Sequence, residues 1–576
     1  MPKFKRIFRG LLYENKNIIS FFYFTTIRLK KKLFNFFLKW DKNYPEVLLG
    51  LIIIIALFIK VPYVKFGLPY VHNWDEPAIV NKAITIMQTG DLNPHYFHYP
   101  SLTTYIQLPF FVLNYYRLVS AGKINSIQDI ELRGRTISHP SFYAVSRLTM
   151  VFLSVLSIFM LFQIGKRYFN MEVGLLAALI MTFLAYDLED LKPVSPNQTV
   201  SFFVLLTLFF LSLYLKKKKS VYILLTGLAC GLATASKYNA FLVSIPIILG
   251  ILFFSKKKWR DITLLLPSSA FGFFIGCPYA LFDMNTFLEH TGIEIRHYKA
   301  GHKDYEGPPG LFQFKFYLNE FKTWIHRLLN FKSSWISPVL GAIAYAFRDF
   351  RGFVTVFSFP FFYLIYMSQQ RVHFIRNMIC MIPFLSLFIG IIFHYIYKLF
   401  IRILKYASQK RWIRLKINDD FVFIIAFLVI LSLFNPFTKI KEALEYLKTY
   451  KESRTMAVEY IRENFPEAKI GISKELGIHP LDLEKIRNRE IFNAEKVSLP
   501  SLYRRKFDYI ISSDKYKTFY NKEGDEKRIE LLKKKFPRKN IIKSFGLNRV
   551  RLDIFSVDPV IHIYKVDKSF LNGDKD

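Results

Sequence analysis

The sequence predicts a polytopic α-helical membrane protein with a small α/β domain at its C-terminal end, on three observations. Apolar residues gather in repeated runs of helix-spanning length, Lys and Arg gather in short tracts between those runs, and both patterns end near residue 436. A bilayer core takes roughly 20 predominantly apolar residues per helix, and water-soluble folds seldom repeat such runs. Bulk composition decides less. The 576-residue chain is 52% hydrophobic, close to the about 45–50% of ordinary soluble proteins.

The formal charge is +36, from 80 Lys and Arg against 44 Asp and Glu. A soluble chain this basic would suggest nucleic acid. Here the cations lie at Lys30–Lys32, Lys216–Lys219, Lys256–Arg260 and Lys398–Lys416, between apolar runs, as cytoplasmic loops do under the positive-inside rule. Membrane lipids are therefore the expected partners, and nucleic acid is not. Residues 1–44 read as a basic cytoplasmic segment lying in the membrane interface. They do not read as a cleavable signal, because the apolar stretch Ile18–Ile27 is short and runs into Lys30–Lys32. Cys230, Cys277 and Cys380 stand in apolar surroundings without metal-ligand spacing and read as small core residues.

About eleven spans follow from the runs: Pro45–Ile59, Arg147–Ile164, Gly174–Tyr186, Thr199–Leu215, Val221–Ser236, Tyr238–Phe254, Ile262–Leu281, Ser334–Phe347, Val354–Met367, Ile379–Tyr397 and Phe421–Phe434. Placing every Lys-rich tract in the cytoplasm alternates correctly along the chain only if the apolar helix Tyr105–Leu118 lies on the outer surface. This puts the N-terminus in the cytoplasm, two mixed loops (61–146 and 282–333) outside, and the C-terminal segment 437–576 outside. The protein is thus expected as a multi-pass component of the plasma (inner) membrane, with a 45–436 membrane domain. In the C-terminal segment, alternating stretches at Ala468–Ile472, Asp508–Ser512 and Ile561–Tyr564, with helical stretches at Thr455–Asn464 and Asp525–Lys535, predict an α/β domain.

Chemistry has few places to reside. After the first span comes His72-Asn73-Trp74-Asp75-Glu76-Pro77. Adjacent carboxylates at a membrane surface are costly if partly buried, and such surroundings can make one of them a base. The plainer reading is a helix start, with Asp75 as cap and Pro77 in the first turn, and both can hold together. The same loop continues His95-Tyr96-Phe97-His98-Tyr99-Pro100. Those rings are either interfacial belt residues or faces on which a sugar stacks.

These motifs fall in an order that resembles a known family. Asp75-Glu76 and His98-Tyr99-Pro100 come first, followed by Gly227-Leu228-Ala229-x-Gly231-Leu232-Ala233-x-x-x-Lys237-Tyr238. Then come Gly276-x-Pro278-Tyr279-Ala280-Leu281-Phe282-Asp283 and His297-Tyr298-x-x-Gly301-His302-x-x-x-Glu306-Gly307. Together they resemble the bacterial branch of the dolichyl-phosphate-mannose–protein mannosyltransferases, glycosyltransferase family 39. That branch is akin to the lipid A aminoarabinose transferases of the GT-C fold. The resemblance runs from about Pro45 to Phe393, and Arg454 to Pro466 is similar to the start of the outer domain that many members carry. It implies an inverting transfer from a polyprenyl-phosphate sugar to a lipid, glycan or protein acceptor, outside the cytoplasm, without a cofactor and without an essential metal. Asp75 matches the acidic residue taken as general base and Glu76 its partner, while His98, Tyr99, Tyr298 and His302 fall to the substrate.

A lipid-phosphate leaving group needs positive charge near the surface. Lys237, Arg371, His373 and Arg376 are outward-facing cations in a chain whose Lys and Arg otherwise concentrate inside, so they are expected at the donor phosphate. Their plainer reading is snorkelling at the interface. One departure stands out. Where family members often carry Asp, this chain has Asn197, and its acidic turn offers Asp187, Glu189 and Asp190 instead. Two other functions compete. A transporter or flippase of lipid-linked glycan would place charges inside spans and repeat its halves, neither of which the sequence does. A membrane-anchored binding protein would carry its function in the C-terminal segment, where no motif is evident.

Overall fold

A computed structural model describes residues 44–567, apart from 72, 74, 134–135, 185–192, 303–304, 331–332, 410–417, 450, 477, 495–497, 516–535, 537 and 546–559. The expectations for residues 1–43, for Asp187, Glu189 and Asp190, and for a helix at Asp525–Lys535 lie outside the described residues.

The fold is mostly helical. Helix α1 is Tyr44–Lys60, α2 Glu76–Thr89, α3 Leu102–Ser120, α4 Ser141–Tyr168, α5 Met171–Phe183, α6 Asn197–Lys217 and α7 Ser220–Ser236. They are followed by α8 Ser244–Phe254, α9 Lys258–Gly276, α10 Met284–Ala300, α11 Leu311–Leu329, α12 Ile336–Arg348, α13 Phe350–Ser368, α14 Ile382–Gln409, α15 Asp419–Leu433 and α16 Pro436–Thr449. Five continuous helical stretches are long and apolar enough to cross a membrane: Tyr44–Lys65, Ser141–Tyr168, Asn197–Lys217, Phe350–Ser368 and Ile375–Gln409. A sixth counts if Asp419–Leu433 and Pro436–Glu445, bent by 41°, form one span. Met171–Phe183, Ser220–Ser236, Tyr238–Phe254 and Ile336–Arg348 are apolar but shorter. The chain is thus a multi-pass helical membrane protein, with ten of the eleven expected runs recurring as apolar helices of one length or the other.

Packing explains why short helices suffice at the centre. In α5 every side chain from Val173 to Phe183 is buried, enclosed by α1, α4 and α14. Helices α7 and α9 pack backbone to backbone. A Cβ added at Gly231 would overlap the Ser269 carbonyl, and one at Gly272 the Leu228 carbonyl, which is the small-residue contact that brings membrane helices together. That seating fixes the end of α7, where Lys237 begins the next turn.

Two helices stand where the sequence suggested only a mixed outer loop. They are α10 and α11, in the 282–333 segment. Strands β1 (Leu132–Arg133) and β2 (Thr136–Ile137) make a small hairpin. Beyond α16, helix α17 (Ser453–Asn464) leads into a sheet of β3 (Ile470–Ser473), β4 (Arg489–Phe492), β5 (Tyr509–Lys515), β6 (Ile541–Phe545) and β7 (Val560–Lys565). Its strand order is β4-β3-β5-β7-β6, parallel across β4-β3-β5 and antiparallel across β5-β7-β6. One face packs Ile472, Ile511 and Ile563 with Ala457, Val458 and Ile461 of α17. The other packs Phe492, Phe507, Ile510 and Tyr564.

This sheet unit meets the turn that follows α1. Tyr70 donates its hydroxyl to Asp482 at 2.7 Å and takes the His479 backbone N–H at 3.2 Å. The Arg454 guanidinium lies 3.8 Å from the Tyr70 ring centroid. His479 reaches the Ile137 carbonyl of β2 through Nε2 at 2.8 Å.

Candidate active site

Asp75 occupies the residue before α2, with Pro77 in the first turn, as the sequence suggests. Its carboxylate, however, makes no capping hydrogen bond. This corrects the expectation of a side-chain cap. The reason is a stronger partner: Arg376 Nη2 lies 3.0 Å from Asp75 Oδ2, with the two side chains 21% and 30% exposed. The Asp75 backbone N–H is held instead by Asn73 Oδ1 at 2.7 Å. A charged pair that stays partly open to solvent can exchange partners, which a sealed one cannot.

Glu76, one residue on, is sealed. Its carboxylate accepts from Arg147 Nε and Nη2, both at 2.9 Å, and from the Val194 backbone N–H at 3.0 Å. Arg147 also donates to the carbonyls of Val64 and Phe66. Neither side chain is more than 1% exposed. The adjacent carboxylates thus part ways: Asp75 stays partly exposed beside Arg376, and Glu76 ties α2 to α4 and to the turn after α1. Sequence reasoning missed Arg147, although a cation at the head of an apolar run demands a partner.

Lys237 is buried between two amides, donating to Asn197 Oδ1 at 2.9 Å and to Asn377 Oδ1 at 2.6 Å. The Asn197 that departs from the family pattern therefore serves a lysine, with a neutral acceptor where a carboxylate would neutralise it. Asn377 follows Arg376 in the 3-10 turn Ile375–Met381. Its Nδ2 donates to the Tyr298 hydroxyl at 3.1 Å, and its carbonyl accepts from Tyr363 at 2.8 Å. Asn377 therefore links Lys237 to the Arg376 segment, and no sequence signal marks it.

Aromatic residues close this region. Burial first, and then the nearby Asp75 carboxylate, hold the Tyr99 phenol well above its ordinary range. Burial pushes Tyr298 up to about 12, against the opposing pull of Arg376. His98 Nδ1 lies 2.7 Å from Glu294, and its ring stacks on His290 at 4.5 Å, which fastens the 95–100 loop to α10. Phe374 carries the Arg376 guanidinium 4.3 Å from its ring centroid on one contact and His302 at 5.1 Å on another. Asp75, Arg376, Tyr99, Tyr298 and, through Asn377, Lys237 are thus brought together, with His98 and His302 at the edges.

Arg371 and His373 stand apart. Arg371 is exposed, and its carbonyl accepts from Gly307 and Gln313 at 2.9 and 2.7 Å. His373 packs at a tilt against Phe316, 4.4 Å between ring centroids, and burial lowers its pKa. Both order the 305–313 loop against the 371–373 segment. Among the described residues no group of three or more His, Cys, Asp or Glu is arranged to hold a metal ion.

Residues 139–282 match the model of the family described as Dolichyl-phosphate-mannose-protein mannosyltransferase. That stretch contains Arg147, Asn197, Lys237 and the α7–α9 glycine contact. The resemblance carried by the motifs is therefore found independently, and the enzyme class with it: over these residues the chain is similar to glycosyltransferases of a lipid-phosphate-linked sugar. No curated protein matches the chain. Two solved structures illustrate what it superposes on. One is the oligosaccharyltransferase AglB from Archaeoglobus fulgidus, in complex with an inhibitory peptide and a dolichol-phosphate. It aligns at 11% identity and TM-score 0.46, over 91% of this chain and 76% of that one. The other is ArnT from Cupriavidus metallidurans bound to undecaprenyl phosphate, at 12% identity and TM-score 0.48, over 90% of this chain and 97% of that one.

Proposed function

We propose that this chain transfers a sugar from a polyprenyl-phosphate donor to an acceptor nucleophile, with inversion, at a site facing away from the cytoplasm, and that Asp75 is the general base. The observation that carries the reading is the Asp75–Arg376 pair: a carboxylate that leaves its helix uncapped to meet a guanidinium while both stay partly exposed. In the reaction, an acceptor hydroxyl oxygen bonds to the anomeric carbon while its proton passes to Asp75. The bond from that carbon to the phosphate oxygen breaks, and the electron pair leaves with the phosphate. Arg376 takes the growing negative charge, with Lys237 as the second cation behind it. Inversion needs base and leaving group on opposite faces of the sugar, so the pair opens as the sugar enters between its partners. The phosphate then replaces the carboxylate on Arg376, and Asp75, losing its counter-charge, becomes the stronger base. Tyr99, Tyr298, His98 and His302 line the sugar and acceptor path. Arg371 and His373 act on donor binding only through the loop they order.

Asp75→Asn keeps the size of the side chain and removes its ability to take a proton. Purified variant is expected to bind polyprenyl-phosphate sugar and to transfer it about 10²–10⁴-fold more slowly, the usual range for a general base. Near-normal turnover would reduce Asp75 to a partner of Arg376.

A further inference from the structure

A second polar constellation lies at the far end of the helix that leaves the Arg376 segment. Helix α14 carries His394, Lys398, Arg402 and Lys405 at spacings of four, four and three, which puts them on one face. Roughly 18 Å of helix separates Ile382 from His394, so this face lies well away from Asp75. Arg348 at the end of α12 and Asp419 at the start of α15 complete the walls of a cavity of about 510 Å³. Four permanent cations thus face one carboxylate on the lining.

Two observations indicate that the cavity receives an anion. First, the cations are incompletely matched. Lys405 pairs with Asp419 at 2.7 Å and Lys398 reaches Glu172 at 3.5 Å. Arg348 meets the Phe169 carbonyl and ring, and among the described residues neither Arg348 nor Arg402 has a carboxylate within 4.0 Å. Second, the cations border the apolar side chains of Tyr395, Leu399 and Ile401. Leu399 and Tyr395 add an apolar edge that is open to the surroundings.

We propose that this cavity binds a phosphate ester anion, held by Arg348, Lys398 and Arg402. Basic pockets between membrane helices recognise anionic headgroups in this way, and the apolar edge would receive an acyl chain. The inference does not depend on the sugar chemistry. The test is native mass spectrometry of the full chain released from nanodiscs of phosphatidylcholine with and without phosphatidylglycerol. Wild type should retain phosphatidylglycerol at least tenfold over phosphatidylcholine. The double variant Lys398→Gln, Arg402→Gln should lose that preference, and Arg402→Lys, which folds with its charge kept, should retain part of it. Millimolar inorganic phosphate that strips the lipid would assign recognition to the phosphate itself, whereas resistance to it would assign recognition to the whole headgroup. Equal retention of the two lipids by wild type, or an unchanged preference in the double variant, would overturn the proposal.

Discussion

A carboxylate withdrawn from water must be matched by donors, and Glu76 is matched by three, from Arg147 and the Val194 backbone. Among the described residues, Asp75 pairs with the partly exposed Arg376. Burial therefore separates a positioning role from a chemical one across a single peptide bond. Arg147→Met leaves Glu76 charged and sealed, so it should lower stability by about 3–5 kcal/mol, read as a fall in the thermal midpoint of detergent-solubilised protein. A midpoint within a degree of wild type would show that Glu76 does not depend on this partner. Much of this was legible. The acidic pair, the rings at 96–99 and the cations Lys237 and Arg376 all drew attention by residue type and place. Arg147 was legible in principle, as a cation at the head of an apolar run. Asn377 was not, because an amide gains its meaning only from the Lys237, Tyr298 and Tyr363 groups that long-range folding brings to it.

Among the elements, apolar runs identify helices because burial in lipid or protein demands them, but they do not give helix ends. Helix α14 extends to Gln409, past the run that ended at Tyr397, since basic residues continue a helix once they face outward. Helices α10 and α11 escaped notice because only one stripe of each is apolar, as with Tyr317, Phe321 and Trp324 in α11. The contact between the sheet unit and the turn after α1 gives a pH dependence. Neutral His479 donates from Nε2 to Ile137 and accepts the Leu481 N–H on Nδ1 at 3.2 Å. Burial lowers its pKa below the usual 6.5, despite the nearby Asp482 and Glu484 carboxylates and with some help from Arg454. The undocked form then binds more protons, so this contribution is complete above about pH 6.5 and is lost as pH falls below it, by at most about 1.4 kcal/mol per pH unit. Burial raises the pKa of Glu452 in the same contact, which acts in the opposite sense. The comparison is therefore wild type against His479→Gln, with thermal unfolding followed between pH 7.5 and 5. The variant should lose part of the wild-type acid sensitivity, and identical slopes would rule His479 out as its source.

For the whole molecule, the distribution of charge rather than its sum revealed the class: +36 resolves into tracts between apolar helices. The sheet of the C-terminal unit was readable at β3, β5 and β7, where alternation is clean, and unreadable at β4 and β6, whose exposed positions carry Arg489 and Lys543. Because the sheet unit touches the turn that leads to Asp75, both are expected on one side of the membrane, the outer side if the Lys-rich tracts are cytoplasmic. After the native cysteines are replaced, an impermeant thiol reagent on whole cells should label a cysteine placed at 500 and spare one placed at 218; the reverse pattern would invert the topology. Sugar transfer is measured by supplying purified protein in proteoliposomes with polyprenyl phosphate bearing a labelled sugar and with membrane extract as acceptor. Label should move to the acceptor with inverted anomeric configuration while free polyprenyl phosphate accumulates in equal amount. Label that stays on polyprenyl phosphate and only changes leaflet would rule out transfer and make the protein a flippase.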